Sequence, residues 1–180
     1  MSIFRRLRRW LGAHDGMTHL VAGNPAPNFS LKSLDGKEFL LADSLRKGPV
    51  VLAFFKVSCP VCKFTFPFLE RLFRRYKSDN VTFLGLSQDN PNSSRDFAND
   101  FGVSFPIAID DSDYTVSNAY GLTMVPTVFF IEPGGRVQVS SMGFIKADLE
   151  SIADSLADRQ NITRTPVFLK TESVPAAKPG

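Results

Sequence analysis

The sequence is poor in cysteine and in long apolar segments. Its 180 residues include only two cysteines, and no stretch is long and apolar enough to predict a transmembrane helix. A single cysteine pair fits a reducing compartment, and no cleavable signal peptide is recognisable. We therefore predict a cytoplasmic protein. The chain length and a hydrophobic content of 43% predict one globular domain with a real core.

An excess of positive charge is also missing outside the N-terminus, although the formal net charge of the chain is +3. Residues 1–10 contain four arginines and no acidic residue, which leaves 17 basic and 18 acidic residues for the rest of the chain. The body of the protein is therefore not basic, and nucleic acid is not expected as a partner.

The first 22 residues form a basic arm whose sequence has two main interpretations. A third, a twin-arginine export signal, is disfavoured because the hydrophobic segment of such a signal is missing. If the segment is helical, its arginines lie on one side and its apolar residues on the other, the latter being Ile3, Phe4, Leu7, Trp10 and Leu11. Such a helix is suited to contact an anionic membrane surface. A helix of about three turns is marginal in water, however, so a frayed and solvated terminus is the second interpretation.

The two cysteines are the most informative feature of the sequence, because they form the motif Cys59-Pro60-Val61-Cys62. The apolar run at 50–55 predicts a buried strand before the motif, and residues 63–76 have helical spacing after it. A cysteine pair between a strand and a helix is typical of a redox dithiol. The helix start favours a thiolate on Cys59, which would attack, while Cys62 would resolve the mixed disulfide.

The remaining pattern predicts an α/β fold with a mixed sheet and helices on both faces. The strands of the sheet are predicted at 50–57, 81–87, 127–131 and 136–142. The first two of these flank the long helix and form one parallel βαβ unit. The domain is predicted to cover 23–160. Residues 161–180 are predicted to be a mostly disordered tail, since their end is rich in Pro, Ala and Lys.

Several further segments resemble the redoxin branch of the thioredoxin-fold family, which includes TlpA-like proteins and the AhpC/TSA peroxiredoxins. The similar segments are Ala26-Pro27-Asn28-Phe29, Asp35-Gly36-Lys37, Ala53-Phe54-Phe55, Phe83-Leu84-Gly85-Leu86-Ser87 with Asp89, Val125-Pro126-Thr127 and Ile131-Glu132-Pro133-Gly134-Gly135. The resemblance covers about residues 23–160. It implies a thioredoxin-like three-layer α/β/α fold with a central mixed β-sheet and an N-terminal β-hairpin extension.

The same resemblance implies an activity. Cys59 would be the nucleophile and Cys62 the resolving thiol of a thiol-disulfide oxidoreductase. Pro126 would be a cis-proline beside the cysteines, and a substrate strand would pair next to Val125. The expected partners are a protein or small-molecule disulfide and an external thiol reductant, without a bound cofactor or metal. The implied substrate-binding residues are Pro60, Val61, Val125 and Pro126.

The sequence departs from the family pattern in two places. Thioredoxins have a buried aspartate six residues before the first cysteine, where this chain has Ala53, so the proton of the resolving thiol must go to water or another group. Peroxiredoxins have the pattern Pro-x-x-x-Thr-x-x-Cys, where this chain has Leu52 and Lys56. The hydroxyl that orients peroxide is therefore missing. Peroxide reduction through a sulfenic acid on Cys59 is the alternative function.

Three other interpretations compete with catalysis by the cysteine pair. Together with His14 and His19 they match a zinc site by count, but both histidines lie in the arm and are expected to be solvated. A structural disulfide would close only a small loop and would stabilise the fold little. A non-enzymatic docking module, held at a membrane by the arm, is the third.

The phenylalanines after the motif give one more hypothesis. Phe64, Phe66 and Phe68 cannot all face the core, because positions i and i+2 diverge on a helix. One of them, with Phe66 as the residue to test, is expected to form an apolar docking surface beside the cysteines.

Overall fold

The computed structural model describes residues 18–110 and 112–180, so most of the predicted arm, with its amphipathic segment, lies outside the described residues. The described strands are β1 (Ser30–Lys32), β2 (Glu38–Leu40), β3 (Val50–Phe55), β4 (Thr82–Ser87), β5 (Ile107–Ile109), β6 (Thr127–Ile131), β7 (Val137–Met142), β8 (Phe144–Ile145) and β9 (Ala177–Lys178). The described helices are α1 (Leu41–Lys47), α2 (Pro60–Tyr76), α3 (Pro91–Asp100), α4 (Thr115–Ala119) and α5 (Lys146–Gln160). Within these ranges, none of the helices combines the length and the apolar character needed to cross a membrane.

In the described part of the chain, five strands form the central sheet in the order β5-β4-β3-β6-β7. β3 is parallel to β4, with Val50 opposite Thr82 and Phe55 opposite Ser87. β6 is antiparallel to both β3 and β7. Because α2 connects the two parallel strands, the predicted βαβ unit and the mixed sheet are both confirmed.

Both faces of the central strand β3 are buried, as its continuous apolar sequence requires. Ala53 and Phe55 lie in an apolar cluster with residues of α2 and α5. Leu52 and Phe54 lie in a second cluster with residues of α1 and α4 on the other face of the sheet. The sheet therefore separates two cores, and Cys62 belongs to the α2–α5 core.

Helix α2 begins directly after Cys59, which is its N-cap residue, and Pro60 occupies the first turn. Proline is favoured there, because its missing N–H would have no partner inside the helix. Pro67 lies within the same helix, where it removes one backbone hydrogen bond. The strand-to-helix junction thus places both cysteines at one edge of the sheet.

The phenylalanines of α2 do not form the predicted docking surface at Phe66. Phe66 is fully buried and its ring centre lies 4.5 Å from that of Phe55, so it is not a docking residue at the surface. It follows the buried Cys62 by four residues and therefore shares its inward face. Phe64 is half-buried instead, and its ring packs edge-on against Phe144.

The predicted N-terminal hairpin is present as β1 and β2, which pair antiparallel. Its turn contains Gly36 with a φ of +82°, a left-handed conformation that glycine adopts readily. The Leu34 N–H donates to the Ile107 carbonyl at 2.8 Å, and Ser33 forms a bridge with Ala108. The hairpin therefore lies against β5 at the edge of the central sheet.

The C-terminal residues differ from the disordered tail that their composition predicts. Val167 and Phe168 are buried, with exposures of 3% and 5%. Arg71 of α2 binds Glu172 through two hydrogen bonds of 2.9 and 2.7 Å, and β9 pairs antiparallel with β8. The Pro-Ala-Lys composition of the last ten residues gives no sign of this. The contacts are made by two apolar side chains farther upstream, by the Glu172 side chain and by backbone atoms.

Glu70 is a buried carboxylate that ties α2 to the loop before β5. It accepts hydrogen bonds from the N–H and the hydroxyl of Ser104 at 2.8 and 2.6 Å, and from Arg74 at 2.7 Å. Burial acts to raise the pKa of Glu70, but the bonds from Ser104 and Arg74 outweigh it and lower that pKa. The resulting stability is present above the ordinary glutamate pKa and is lost as the pH falls below it.

We expect Glu70→Ala to lower the free energy of unfolding by about 1–3 kcal/mol at neutral pH, because Ser104 then loses its acceptor inside the fold. Urea denaturation measures this difference. The matched control is Glu150→Ala, which removes an exposed glutamate from α5 and should change little. An equal loss in both variants would contradict a special role for the buried carboxylate.

Candidate active site

The two cysteines differ in how far solvent reaches them. Both are free thiols. Cys59 is partly exposed, whereas Cys62 is fully buried in the α2–α5 core. A disulfide in solution therefore has access to Cys59 and not to Cys62.

Two hydrogen bonds hold the sulfur of Cys59. The Cys62 N–H donates to Cys59 Sγ at 3.1 Å, and the Cys59 thiol donates to the Val125 carbonyl oxygen at 3.3 Å. The first bond caps a helix of 17 residues, and the N-terminus of a helix stabilises negative charge. The second bond needs the protonated thiol. Loss of the proton therefore frees the Val125 oxygen for another donor.

The buried sulfur of Cys62 has the opposite environment. Burial raises the pKa of the Cys62 thiol far above its ordinary value, and the hydrogen bond with Cys59 acts in the same direction. Ala53, with an exposure of 2%, lies in the same core and offers no proton acceptor. Among the described residues, no carboxylate contributes to the pKa of Cys62. In the part of the chain that the structure describes, the resolving thiol therefore has no carboxylate partner that could take its proton.

The loop before β6 faces the cysteines through its backbone. Its Val125–Pro126 peptide bond is cis. Thr127 Oγ1 donates to the Met124 carbonyl and the Gly143 N–H donates to the Pro126 carbonyl, both at 2.8 Å. Val125 is half-buried and Pro126 is buried. Val125 is therefore the loop residue that presents a backbone oxygen to the reactive sulfur.

The two residues between the cysteines complete the edge of the site. Pro60 is exposed and Val61 is half-buried on the turn between the two sulfurs. Both therefore border the surface beside Cys59. The predicted site residues on α2 and on the loop before β6 are thus brought together, through the contact of Cys59 with Val125.

A cavity of about 230 Å³ lies beside the loop, lined by Lys56, Gln88 and residues 122–125. The Lys56 ammonium lies 5.2 Å from the ring centre of Tyr114, and Gln88 Nε2 donates to Ser117 Oγ at 2.8 Å. Gln88 is not among the site residues predicted from the sequence. A usable signal was available, because Gln88 directly follows β4, and the carboxyl ends of parallel strands meet at one edge of a sheet.

His19 lies away from the cysteines. Its Nε2 is 2.8 Å from Ser140 Oγ, and its ring stacks on Phe129, which belongs to the core on the other face of the sheet from Cys62. His19 is thus not the solvated linker residue that was expected, because the chain from residue 18 onward packs across that face. His14 lies outside the described residues, within which no group of three or more His, Cys, Asp or Glu is arranged to hold a metal ion.

The fold and the site together define a class: a thioredoxin-like domain with a redox dithiol at the start of a long helix and a proline loop facing it. The chain belongs to the AhpC/TSA family, which matches residues 22–140.

Comparison with known proteins supports the same class. The thiol-disulfide oxidoreductase ResA of Geobacillus thermodenitrificans (strain NG80-2) is 37% identical over 141 residues, which cover 75% of this chain and 80% of that protein. ResA of Bacillus subtilis (strain 168) is 33% identical over 123 residues, or 68% of each protein. The relationship shows that the chain is an oxidoreductase of the thiol-disulfide class, so the predicted family and enzyme class are confirmed.

Solved structures confirm the predicted fold. A thiol:disulfide interchange protein DsbE from Chlorobium tepidum is 26% identical, has a TM-score of 0.68, and covers 77% of this chain and 97% of its own. The peroxidoxin BcpB from Mycobacterium tuberculosis has a TM-score of 0.62 and covers 81% of this chain and 99% of its own. At 22% identity, the latter shows a shared fold only.

Proposed function

We propose that this protein reduces disulfides in an extended strand of a substrate protein, with Cys59 as the attacking sulfur and Cys62 as the resolving sulfur. The observation that carries the proposal is the unequal environment of the two sulfurs. Cys59 is accessible and capped by an N–H at 3.1 Å, while Cys62 is buried. Only Cys59 can meet a large substrate, and only Cys62 is close enough along the helix to release it.

In the first step the Cys59 thiolate attacks one sulfur of the substrate disulfide. A bond forms between Cys59 Sγ and that sulfur, and the substrate S–S bond breaks. The second substrate sulfur leaves as a thiolate and takes up a proton from water. The helix N-terminus and the N–H of Cys62 stabilise the negative charge on Cys59 before the attack.

In the second step Cys62 loses its proton to water, and its thiolate attacks Cys59 Sγ. The Cys59–Cys62 disulfide forms, and the first substrate sulfur leaves as a thiolate that is then protonated. The substrate gains two electrons and two protons overall, and the cysteine pair loses them. An external dithiol restores the reduced pair, and none of these steps uses a bound cofactor.

We further propose that the substrate strand pairs with the backbone of Val125. When Cys59 is deprotonated, the Val125 oxygen loses its S–H donor and becomes an acceptor for a substrate N–H. Pro126 follows without an N–H of its own, so Val125 is where strand pairing along this loop ends. Pro60 and Val61 border the same surface, and backbone pairing of this kind favours an extended peptide.

Two activities measured on one protein test this function. We expect catalysed reduction of insulin disulfides in the presence of dithiothreitol, and consumption of hydrogen peroxide no faster than that of an ordinary thiol. The reason is that Lys56 stands where a peroxide-orienting hydroxyl would be, and the nearest alternative, Ser58, is exposed. Rapid peroxide consumption with inert insulin would reverse the assignment, and inactivity in both assays would favour a docking module.

We also propose that the protein is cytoplasmic and that its basic arm contacts a membrane surface. Its single cysteine pair favours the cytoplasm. The four arginines of residues 1–10 favour an anionic membrane surface as an additional contact.

A further inference from the structure

Residues 175–180 run across the surface next to the proposed substrate site. β9 pairs with β8, with Phe144 opposite Lys178, and the Lys146 N–H donates to the Ala176 carbonyl at 2.9 Å. From the end of β9 onward the chain passes very close to Gly143, where an added Cβ atom would lie 2.5 Å from the Lys178 carbonyl oxygen and 3.0 Å from the Gly180 nitrogen. A side chain at residue 143 would therefore push this segment away.

The same segment reaches the loop that faces the reactive sulfur. A Cβ atom on Gly180 would lie 2.4 Å from the Val125 carbonyl oxygen and 3.5 Å from Met124 Cβ. The backbone of Gly180 is therefore packed directly against this carbonyl. Because the oxygen also accepts the Cys59 thiol at 3.3 Å, Val125 lies between the reactive sulfur and the C-terminal segment.

Contacts farther upstream tether the segment to α2. Arg71 donates to the Val167 carbonyl at 2.6 Å and forms the ion pair with Glu172. The hydrogen bond from Arg71 lowers the pKa of Glu172 to about 2, so this pair persists throughout the physiological pH range. Phe168 packs on the ring of Phe68 at 4.9 Å. The tether keeps residues 175–180 close to the site whether or not they are docked.

We infer that residues 175–180 occupy the docking position of the substrate strand and compete with protein substrates for Val125. The inference rests on the proposed function and specifies its substrate class. Where the segment meets Gly143 and Val125, it leaves no room for a Cβ atom at residue 180. The site therefore takes an extended peptide with glycine at that position, as this segment itself provides.

Competition from a tethered segment has a defined kinetic effect. A protein substrate binds only those molecules whose segment is released. Its apparent affinity is therefore the intrinsic affinity multiplied by the released fraction. A small disulfide that needs no strand pairing reaches the partly exposed Cys59 without this cost. The segment therefore selects against protein substrates more strongly than against small ones.

The first test compares the full chain with a variant that lacks residues 175–180. We expect kcat/KM for insulin to rise about fivefold through a lower KM, while the rate with 5,5′-dithiobis(2-nitrobenzoate) changes less than about twofold. The variant retains Val167, Phe168 and Glu172, so the buried contacts of the tether stay intact. Urea denaturation of both proteins checks that folding is unchanged.

A point variant repeats the test without truncation. Gly180→Ala should displace the segment from Val125 and raise kcat/KM for insulin in the same direction. Gly134→Ala is the matched control, because a Cβ atom at Gly134 meets nothing within 4 Å. It should leave the rate unchanged.

Binding of a free peptide separates this inference from the proposed function. A fluorescent peptide with the sequence of residues 173–180 should bind the truncated variant, not the full chain, and should inhibit insulin reduction by competition. Selective binding supports the docking position even if insulin proves not to be a substrate. Absence of binding would overturn the inference. If insulin is reduced at a measurable rate, a rate that truncation leaves unchanged or lowers would overturn it as well.

Discussion

Replacing Cys59 with serine is expected to abolish insulin reduction, a loss of at least about 10³-fold in rate. A serine hydroxyl is not ionised at neutral pH and cannot enter a disulfide, although it can still cap the helix. Cys62 cannot take over, because it is fully buried and burial raises its pKa. The remaining rate should equal that of dithiothreitol alone.

Cys62→Ser is expected to complete the first attack on the substrate and to stop at the mixed disulfide. Cys59 keeps its exposure and the N–H bond of residue 62, so attack on the substrate proceeds. The mixed disulfide then has no resolving thiol and accumulates. Mass spectrometry under non-reducing conditions should find one substrate molecule per protein, released by excess dithiothreitol.

The contrast between the two variants assigns the roles of the cysteines. Ser58→Ala provides the control, since it alters an exposed neighbour of Cys59 that we place outside the chemistry. It should reduce insulin at the rate of the unmodified protein. An adduct that forms on Cys59→Ser rather than on Cys62→Ser would exchange the roles of nucleophile and resolving thiol.

The part of the fold around β3 and α2 was predictable because its signals are local. A continuous apolar run means a strand buried on both faces, and the spacing of residues 63–76 means a helix. Cys59 lies where the two meet, and no other residue pair in the sequence offers sulfur chemistry. The strand at 127–131 was likewise predicted where it is found.

The C-terminal segment was not predictable, because its contacts are made at long range. Pairing of β9 with β8 uses backbone atoms and leaves no side-chain pattern. Arg71 and Glu172 are 101 residues apart, and either one alone resembles a solvated charge. The close contact between Gly143 and the backbone of the C-terminal segment depends on the three-dimensional structure, because the two are distant in sequence.

For the candidate site, the sequence predicts which residues to consider but little of their environment. The contact of Cys59 with Val125 follows from the resemblance to thioredoxin-fold proteins, not from any local pattern. Phe66 is buried and not at the surface because of the rotation of α2 about its own axis, which decides which side chains face the sheet. Helical phase around Pro67 is not fixed by sequence spacing alone, since a proline inside a helix disturbs it.

The second large effect is the pH dependence of the resolving step. Since burial raises the pKa of Cys62, its thiolate is a minor species at neutral pH and the rate of resolution should follow its fraction. We expect that rate to rise about tenfold per pH unit from about pH 6 to about pH 9. A stopped-flow reaction with 5,5′-dithiobis(2-nitrobenzoate) separates attack from resolution as two phases of chromophore release.

The raised pKa of Cys62 also makes the stability of the fold depend on pH. The folded state holds the Cys62 proton more tightly than the unfolded state does. The stability gained in this way is fully present below the ordinary thiol pKa and is lost as the pH rises above it. In the stopped-flow reaction, a second phase of chromophore release whose rate does not depend on pH would contradict the assignment of Cys62 as a buried, protonated thiol.

Supplying a base at residue 53 should remove part of this pH dependence. Ala53 lies in the same core as Cys62, and burial raises the pKa of a carboxylate placed there toward neutrality, where it can accept a proton. We expect Ala53→Asp to accelerate resolution at neutral pH by about tenfold or more relative to Ala53→Asn. The asparagine has nearly the same size and burial cost, so the ratio of the two rates isolates proton transfer from packing. Equal rates would mean that water already removes the proton efficiently and that the missing aspartate does not limit this enzyme.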